Sequence, residues 1–279
     1  MPVFNGEAYV EAAIRAVQAQ TLDDFELVVS DNASTDRSIE ICRDLAANDP
    51  RIRVVQNESN VGAAKNFNRV FSLSVAPYFR WTNADDLSAP TLHEDCICAL
   101  RERPDAALAY GRTTLIDADG AASGNYDDRL NLQQESPHER LVMLFNNLGL
   151  VNVIYGLMRS AAVRSTNLMG TGMIPTGDVR FLVELCLRGK FVALSTPLFF
   201  RRVHSGASSW RRDDVNSQQF FWNGDSSEFK RPQWSTHMAD LRAIERSPLN
   251  IMQKAACFGQ IARRMYWAHR DLLLEIGAP

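Results

Sequence analysis

Four apolar runs rich in β-branched and aromatic residues recur along the first part of the chain: "ELVVS" (26–30), "IRVVQ" (52–56), "PYFRWT" (77–82) and "AALAYG" (106–111). Helical patterns alternate with them. "AAIRAVQAQ" (12–20) precedes the first, and Asp36 is placed to cap "RSIEICRDLAA" (37–47). "AAKNFNRVFSLS" (63–74) puts Ala63, Phe67, Val70, Phe71 and Ser74 on one face, and Pro90 fits the first turn of "TLHEDCICALRER" (91–103). This alternation constrains the chain to an α/β fold, a Rossmann-like, mostly parallel sheet covered by helices. Ligands of such sheets bind beyond the carboxyl ends of the strands. The segments there are "FNGE" (4–7), "DNASTD" (31–36), "NESNVG" (57–62) and "NADD" (83–86), all polar and rich in Asn, Asp and Glu. One edge of the sheet is thereby marked as a site.

Beyond residue 111 the pattern changes. "TTLIDADGAAS" (113–123) reads as a strand with an Asp-Gly turn, and "SPHERLVMLFNNLG" (136–149) as an amphipathic helix before the apolar run "LVNVIYGLM" (150–158). "GDVRFLVELCLRGKF" (177–191) is a helix closed by Gly189, and "LFFRRVHSGASSW" (198–210) is a strand leaving into a loop. From about residue 211 the chain is polar, with Phe220, Phe221 and Trp222 in a loop. It ends in a long helix from Pro248, with Ile251, Ala255, Phe258, Ala262, Met265 and Leu272 as one stripe. The expected division is a domain over 1–210, with halves at about 1–111 and 112–210, and a loop plus helical C-terminal extension over 211–279.

Net charge -3 and a pI near 6.0 give no support for a nucleic-acid partner. The five cysteines show no CxxC or zinc spacing and read as buried thiols of a reducing compartment. Without a membrane-spanning run or a basic-then-apolar leader, a cytoplasmic protein is expected. "MPVFNGE" reads as the end of a strand and its loop, so either the chain begins upstream or its first strand is very short.

"NADD" carries the sharpest chemical question. Asp85 and Asp86 repel each other unless a cation or a structural role separates them. A helix cap is the bland answer, but the next helix starts only near Pro90. A hard divalent ion, Mg²⁺ or Mn²⁺, takes one or two carboxylates and leaves positions for a diphosphate. No GxxxxGK[ST] loop and no GxGxxG follows any strand, so a glycine cradle for phosphate is absent.

Taken together, "PVFNGE" (2–7), "QTLDDFELVVSDNASTD" (20–36), "DPRIRVVQNESNVGAAKNFN" (49–68), "WTNADDL" (81–87), "TGDVRFLVEL" (176–185) and "FFRRVHSGASS" (199–209) resemble a family 2 glycosyltransferase of the GT-A fold. The resemblance covers roughly residues 1–210 and is specific as a set. It implies that Pro2, Val3 and Glu7 line a nucleoside site and that Asp31 hydrogen-bonds the base. Asn60 and Gly62 match the third loop, with Lys65 either near the nucleotide or simply exposed on its helix. "NADD" matches the family's DxD, with Asn83 in place of the first Asp and, like it, expected at the nucleotide. Asp85 is then the metal ligand and Asp86 its support or a sugar contact. His204 matches a His on the metal or diphosphate, and Arg202 a phosphate contact. Asp178 of "TGD" is either the general base or the N-cap of its helix. Trp81 is read as core beneath the loop.

The implied activity is inverting, metal-assisted transfer of a sugar from a UDP- or dTDP-sugar to a hydroxyl of a glycan or lipid-linked acceptor. Two alternatives remain at this level: a nucleotide-sugar binder without turnover, and a sugar-phosphate nucleotidyltransferase, whose glycine-rich basic loop is missing. Arg263, Arg264, His269 and Arg270 beside the C-terminal stripe leave three uses for that helix. It can dock on the catalytic domain, pair with a second subunit, or contact a membrane surface from the cytoplasmic side.

Overall fold

The computed structural model describes residues 1–170, 177–207 and 231–277. Phe220, Phe221 and Trp222 lie outside the described residues.

Three short parallel strands open the fold: β1 (Pro2–Val3), β2 (Leu27–Asp31) and β3 (Ile52–Gln56), in that order across the sheet. β2 is buried along its whole length because helices cover both faces, so an unbroken apolar run suits it. Helices α1 (Val10–Gln18), α2 (Ser38–Ala47) and α3 (Ala63–Ser72) connect and cover these strands. The helix after "DNAST" begins at Ser38, whose backbone N–H donates to Asp36 Oδ1 at 3.0 Å.

A second sheet takes the rest of the strands in the order β4 (Tyr78–Phe79), β8 (Leu157–Arg159), β6 (Ala106–Ile116), β9 (Lys190–Arg202), β5 (Leu87–Ser88), with β7 (Ala122–Tyr126) beside β6. The expected mostly parallel sheet holds for the first sheet and is corrected for the second. There, β6 and β9 are parallel, while β4–β8, β5–β9, β6–β7 and β6–β8 are antiparallel. For β6 and β7 the physical reason is connection length. The five residues between Ile116 and Ala122 contain an Asp-Gly turn and permit only a hairpin, whereas a parallel return needs a long crossover. "PYFRWT" contributes just two strand residues.

The remaining helices are α4 (Leu92–Glu102), α5 (Pro137–Asn146), α6 (Ser160–Arg164), α7 (Gly177–Cys186), α8 (Pro232–Arg246), α9 (Ile251–Trp267) and α10 (His269–Gly277). The last two replace the single long helix read from sequence, and α8 occupies a stretch read as polar loop. Asn250 and Gln253 form a reciprocal capping box at the start of α9.

The C-terminal helices dock on the body of the protein. Ala243, Ile244, Cys257 and Ile261 are buried in one cluster with Trp81, Phe181, Leu141 and Leu144. The stripe read from sequence is therefore rotated. Cys257 and Ile261 point inward with Phe258 and Met265 beside them, whereas Ile251 is 84% exposed. No described helix is long and apolar enough to cross a membrane.

Candidate functional site

β2 is the middle strand of the first sheet, and its last residue is Asp31, fully buried. Asp31 Oδ2 accepts from Ser34 N–H and from Gln56 Nε2, each at 3.1 Å. Asp31 Oδ1 is buried with no hydrogen-bond partner. An unpaired buried carboxylate oxygen is costly unless a ligand donor reaches it.

Around Asp31 the first three polar loops bind one another. Glu7 N–H donates to Asp36 and Arg37 N–H donates back to Glu7, at 3.0 and 2.9 Å. Buried Asn32 donates to Asn60 Oδ1 and accepts from Asn57 Nδ2, each at 2.8 Å. Asn57 also donates to Asn66, whose own amide bonds both the Ser30 hydroxyl and its carbonyl. Asn60 accepts a second bond from Gly62 N–H, and Gly62 enters α3 at φ 84°, a conformation open to glycine. Val3 is buried and Pro2 half-buried at the foot of the first loop, whereas Glu7 and Lys65 are exposed at the rim.

"NADD" reaches this edge by contact and by register. A β-carbon on Gly6 would sit 3.3 Å from Ala84 Cβ, so glycine lets the first loop lie against the fourth. Antiparallel pairing of Leu87 with Phe200 then runs the chain backwards from Asp86 beside Arg202 and His204. His204 Nε2 stands 3.1 Å from Asp85 Oδ2. The two residues expected to hold a metal are thus brought together across more than a hundred positions of sequence.

Asp86 and Arg202 turn away from the site. Asp86 is 4% exposed and accepts from Arg202 N–H and Asn83 Nδ2, both at 2.8 Å. Burial and the neighbouring Asp85 charge raise its carboxyl to about 7. Arg202 is 6% exposed and donates to the carbonyls of Asp85, Asp117 and Ala118. The expected sugar or diphosphate contacts are corrected to positioning roles, because their hydrogen-bonding atoms already hold the loop. Asn83 likewise turns its amide N–H onto Asp86, so its expected place at the nucleotide is not where that group points.

Trp81 is fully buried, donates to Phe67 O at 3.0 Å and meets Phe79 and Phe181 edge-on. Phe181 lies on α7 three residues after Asp178, on the same face. The Trp81–Phe181 contact therefore ties the helix carrying Asp178 to the strand feeding "NADD". Asp178 sits half-buried in the first turn of α7, its Oδ1 accepting Val179 N–H at 2.8 Å.

Three contributors escaped the sequence reading. Tyr9 places its ring 4.7 Å from that of His204 and, on centroid distance, 4.7 Å beneath the Arg202 guanidinium. Gln56 holds one oxygen of Asp31. Asn32, Asn57 and Asn66 lock the loops. The asparagines were visible as enrichment in the loops, but nothing local distinguishes Tyr9 from an ordinary residue ahead of a helix.

The donor set suits a hard divalent cation. Adjacent ligands of an octahedral ion at about 2.1 Å lie about 3.0 Å apart, close to the Asp85–His204 spacing. Among the described residues no group of three His, Cys, Asp or Glu side chains converges. Two protein ligands are the expected complement when phosphate oxygens and water supply the rest.

Comparison with known proteins identifies the family and the fold. The profile of glycosyl transferase family 2 matches residues 1–157. An uncharacterized glycosyltransferase of Haemophilus influenzae is 28% identical over 108 residues, 39% of this chain and 33% of that protein. A Mycobacterium bovis PGL/p-HBAD biosynthesis glycosyltransferase is 26% identical over 164 residues, 57% of this chain and 64% of that one. The chain thus spans a third of the first relative and under two thirds of the second. Among solved structures, S. aureus TarS 1–349 in complex with UDP-GlcNAc superposes with a TM-score of 0.69 at 15% identity, covering 95% of this chain and 71% of that one. The Pyrobaculum calidifontis mannosyltransferase PcManGT, in complex with GDP-Man and Mn²⁺, gives a TM-score of 0.56 at 15% identity, covering 94% and 73%.

Proposed function

The chain belongs to glycosyl transferase family 2, and on that premise we propose that it moves a sugar from a UDP- or dTDP-sugar to a hydroxyl of a glycan or lipid-linked acceptor, with inversion and with a divalent metal, Mn²⁺ or Mg²⁺. The observation that carries this reading is the 3.1 Å approach of His204 to Asp85, on a loop that packs through Ala84 against Gly6 of the loop beside Asp31. Uracil and thymine present one imide N–H, the donor that the unpaired Asp31 Oδ1 lacks. One structural neighbour, TarS 1–349 bound to UDP-GlcNAc, supports the uridine choice.

Asp85 and His204 would hold the metal, which supplies Lewis-acid stabilisation of the charge that develops on the leaving diphosphate. The chain's own residues do the rest. Asp86, Arg202 and Asn83 fix the backbone of the loop so that Asp85 presents its carboxylate outward. Tyr9 holds the His204 ring. Asp178 accepts the proton of the attacking acceptor hydroxyl as general base, on the face opposite the leaving group. Pro2, Val3, Asn60 and Gly62 shape the nucleoside pocket with Asp31, and Lys65 and Glu7 stand at its rim.

The test is calorimetric titration of UDP into the protein with Mn²⁺ and with EDTA, repeated on Asp85→Ala. Binding that needs both the metal and Asp85 is the expected result. Equal binding in EDTA, or in the variant, would remove the metal from the reading. Tighter binding of GDP than of UDP would overturn the base assignment alone.

A further inference from the structure

Two cavities that the donor site does not use lie among the C-terminal helices. The first, about 450 Å³, is a groove between α5 and α9. His138 and Asn146 line it from α5, and Gln260, Arg263, Arg264 and Trp267 line it from α9. The positions 260, 263, 264 and 267 follow the spacing of a single helix face. Where two packed helices meet, that face is ordinarily apolar. Here it carries two guanidinium groups, an amide and an indole, and no carboxylate lines the groove among the described residues.

The side chains are set for a ligand. Trp267 is 73% exposed, its indole touching the Tyr266 ring edge-on and otherwise open to solvent. Arg264 is pinned with its guanidinium carbon 3.5 Å from the Phe145 ring centroid. It lies close enough to the buried Asp240 for their charges to interact, and Arg263 beside it is exposed to solvent. A second, more open hollow of about 520 Å³ shares Arg264 and Trp267 as its wall and is lined also by Asp271. On its far side stands His237, 6% exposed, whose Nδ1 is buried without a hydrogen-bond partner. Cavities of about 300–1,000 Å³ with a few convergent polar groups are of ligand-binding size.

We propose that this groove is a second ligand site, for an anionic saccharide: a sugar ring bearing a carboxylate or a phosphate. Arg263 and Arg264 receive the acid group, which guanidinium forks match in geometry and charge. Trp267 covers the ring, and the Asn146 and Gln260 amides offer both donors and acceptors to its hydroxyls. The site stands on residues separate from the donor machinery, so it holds or fails independently of the reaction assigned above.

The experiment is calorimetric titration with glucose 6-phosphate and with glucuronate, against glucose and inorganic phosphate, on the parent protein and on Arg263→Glu, Trp267→Phe and Asp85→Ala. Arg263 and Trp267 are exposed, so neither replacement threatens the core. Saturable binding of one or both acidic sugars is expected, with glucose weaker by about tenfold or more. Which of the two acids binds identifies the anion. Arg263→Glu should abolish that binding, Trp267→Phe should weaken it, and Asp85→Ala should leave it unchanged. The proposal is overturned if neither acidic sugar binds, if Arg263→Glu binds as well as the parent, or if inorganic phosphate binds as tightly as the sugar phosphate. Loss of binding in Asp85→Ala would overturn it too, by assigning the sugar to the donor site.

Discussion

At the scale of single residues, the candidate site separates groups that face a ligand from groups that hold them. Asp85 and Asp86 are adjacent and chemically identical, yet one is half-exposed against His204 and the other is buried under Arg202 and Asn83. Their mutual repulsion is relieved by burial that favours the protonated form of Asp86. From sequence Asp85 is expected as a metal ligand and Asp86 and Arg202 as sugar or diphosphate contacts, whereas Asp86 and Arg202 are spent on the loop itself. Charge alone does not reveal which carboxylate meets a backbone N–H across the strand pair. Tyr9 gives a direct test of holding. Tyr9→Phe keeps the ring between His204 and Arg202 and should leave Mn²⁺ affinity near that of the parent, whereas Tyr9→Ala should weaken it by about tenfold or more, the usual cost of freeing a ligand. Mn²⁺ binding followed by electron paramagnetic resonance checks this without turnover. Equal affinities in the two variants would show that His204 is held by its backbone. For Asp178, replacement by Asn keeps the side-chain oxygen that meets Val179 N–H while removing the base. Turnover should fall by about 10²–10⁴-fold with UDP affinity unchanged. Turnover and stability both unchanged in the variant would make Asp178 a cap alone, because Asn caps a helix as well as Asp does.

At the scale of elements, the positions of the active loops depend on one irregular strand pair. β6 and β9 run parallel, and their register shifts between Tyr110 and Arg112. Gly111 lies at that shift, and a β-carbon there would fall 2.5 Å from Leu198 Cβ. The missing side chain lets β9 bend across β6 before it reaches Phe199 and Phe200, the residues that pair with β5. Gly111→Ala should therefore destabilise the fold by about 1–3 kcal/mol, the usual cost of overpacking. It should also weaken metal-dependent UDP binding, because Leu87 and Phe200 set the Asp85–His204 spacing. Urea midpoints and UDP titration read the two effects separately. A stable variant that binds UDP normally would show that Leu198 yields without moving the strand. The β2 and β6 runs are legible because buried strands carry long apolar sequence, β3 because Ile52, Val54 and Val55 are β-branched, and α3 and α4 because their faces repeat at helical spacing. The antiparallel pairs of the second sheet were not legible, since β4, β5 and β8 are two or three residues long and take their strand geometry from their neighbours. α8 was missed for a related reason. Its surface is polar, and Ala243 and Ile244 acquire meaning as core only when α7 and α9 are in place.

At the scale of the whole molecule, the C-terminal helices are joined to the catalytic body by buried charge as well as by apolar contact. Asp240 on α8 is 2% exposed, and burial raises its carboxyl to about 7 although Arg180 of α7 and Arg264 of α9 both pull it down. Those three residues come from three helices, so the titration of Asp240 reports on the layer as a unit. Its sign follows from linkage. An unfolded Asp titrates near 3.9, so between about pH 4 and pH 7 the folded chain binds more protons than the unfolded chain. The contribution of Asp240 to stability is intact below that window and is lost as the pH rises through about 7. Asp240→Asn keeps the shape and removes the titration. Relative to the parent, the variant should gain stability between pH 5 and pH 8, whatever fixed cost it carries from altered contacts with the arginines. Urea unfolding of both proteins at the two pH values measures that change directly. Asp128, raised by burial to about 6, shifts stability in the same direction in both proteins and cancels in the difference. A gap that stays constant from pH 5 to pH 8 would mean that the two arginines keep Asp240 ionised throughout. The helical layer would then be clamped to α7 by a permanent ion cluster, and acid, not base, would loosen it.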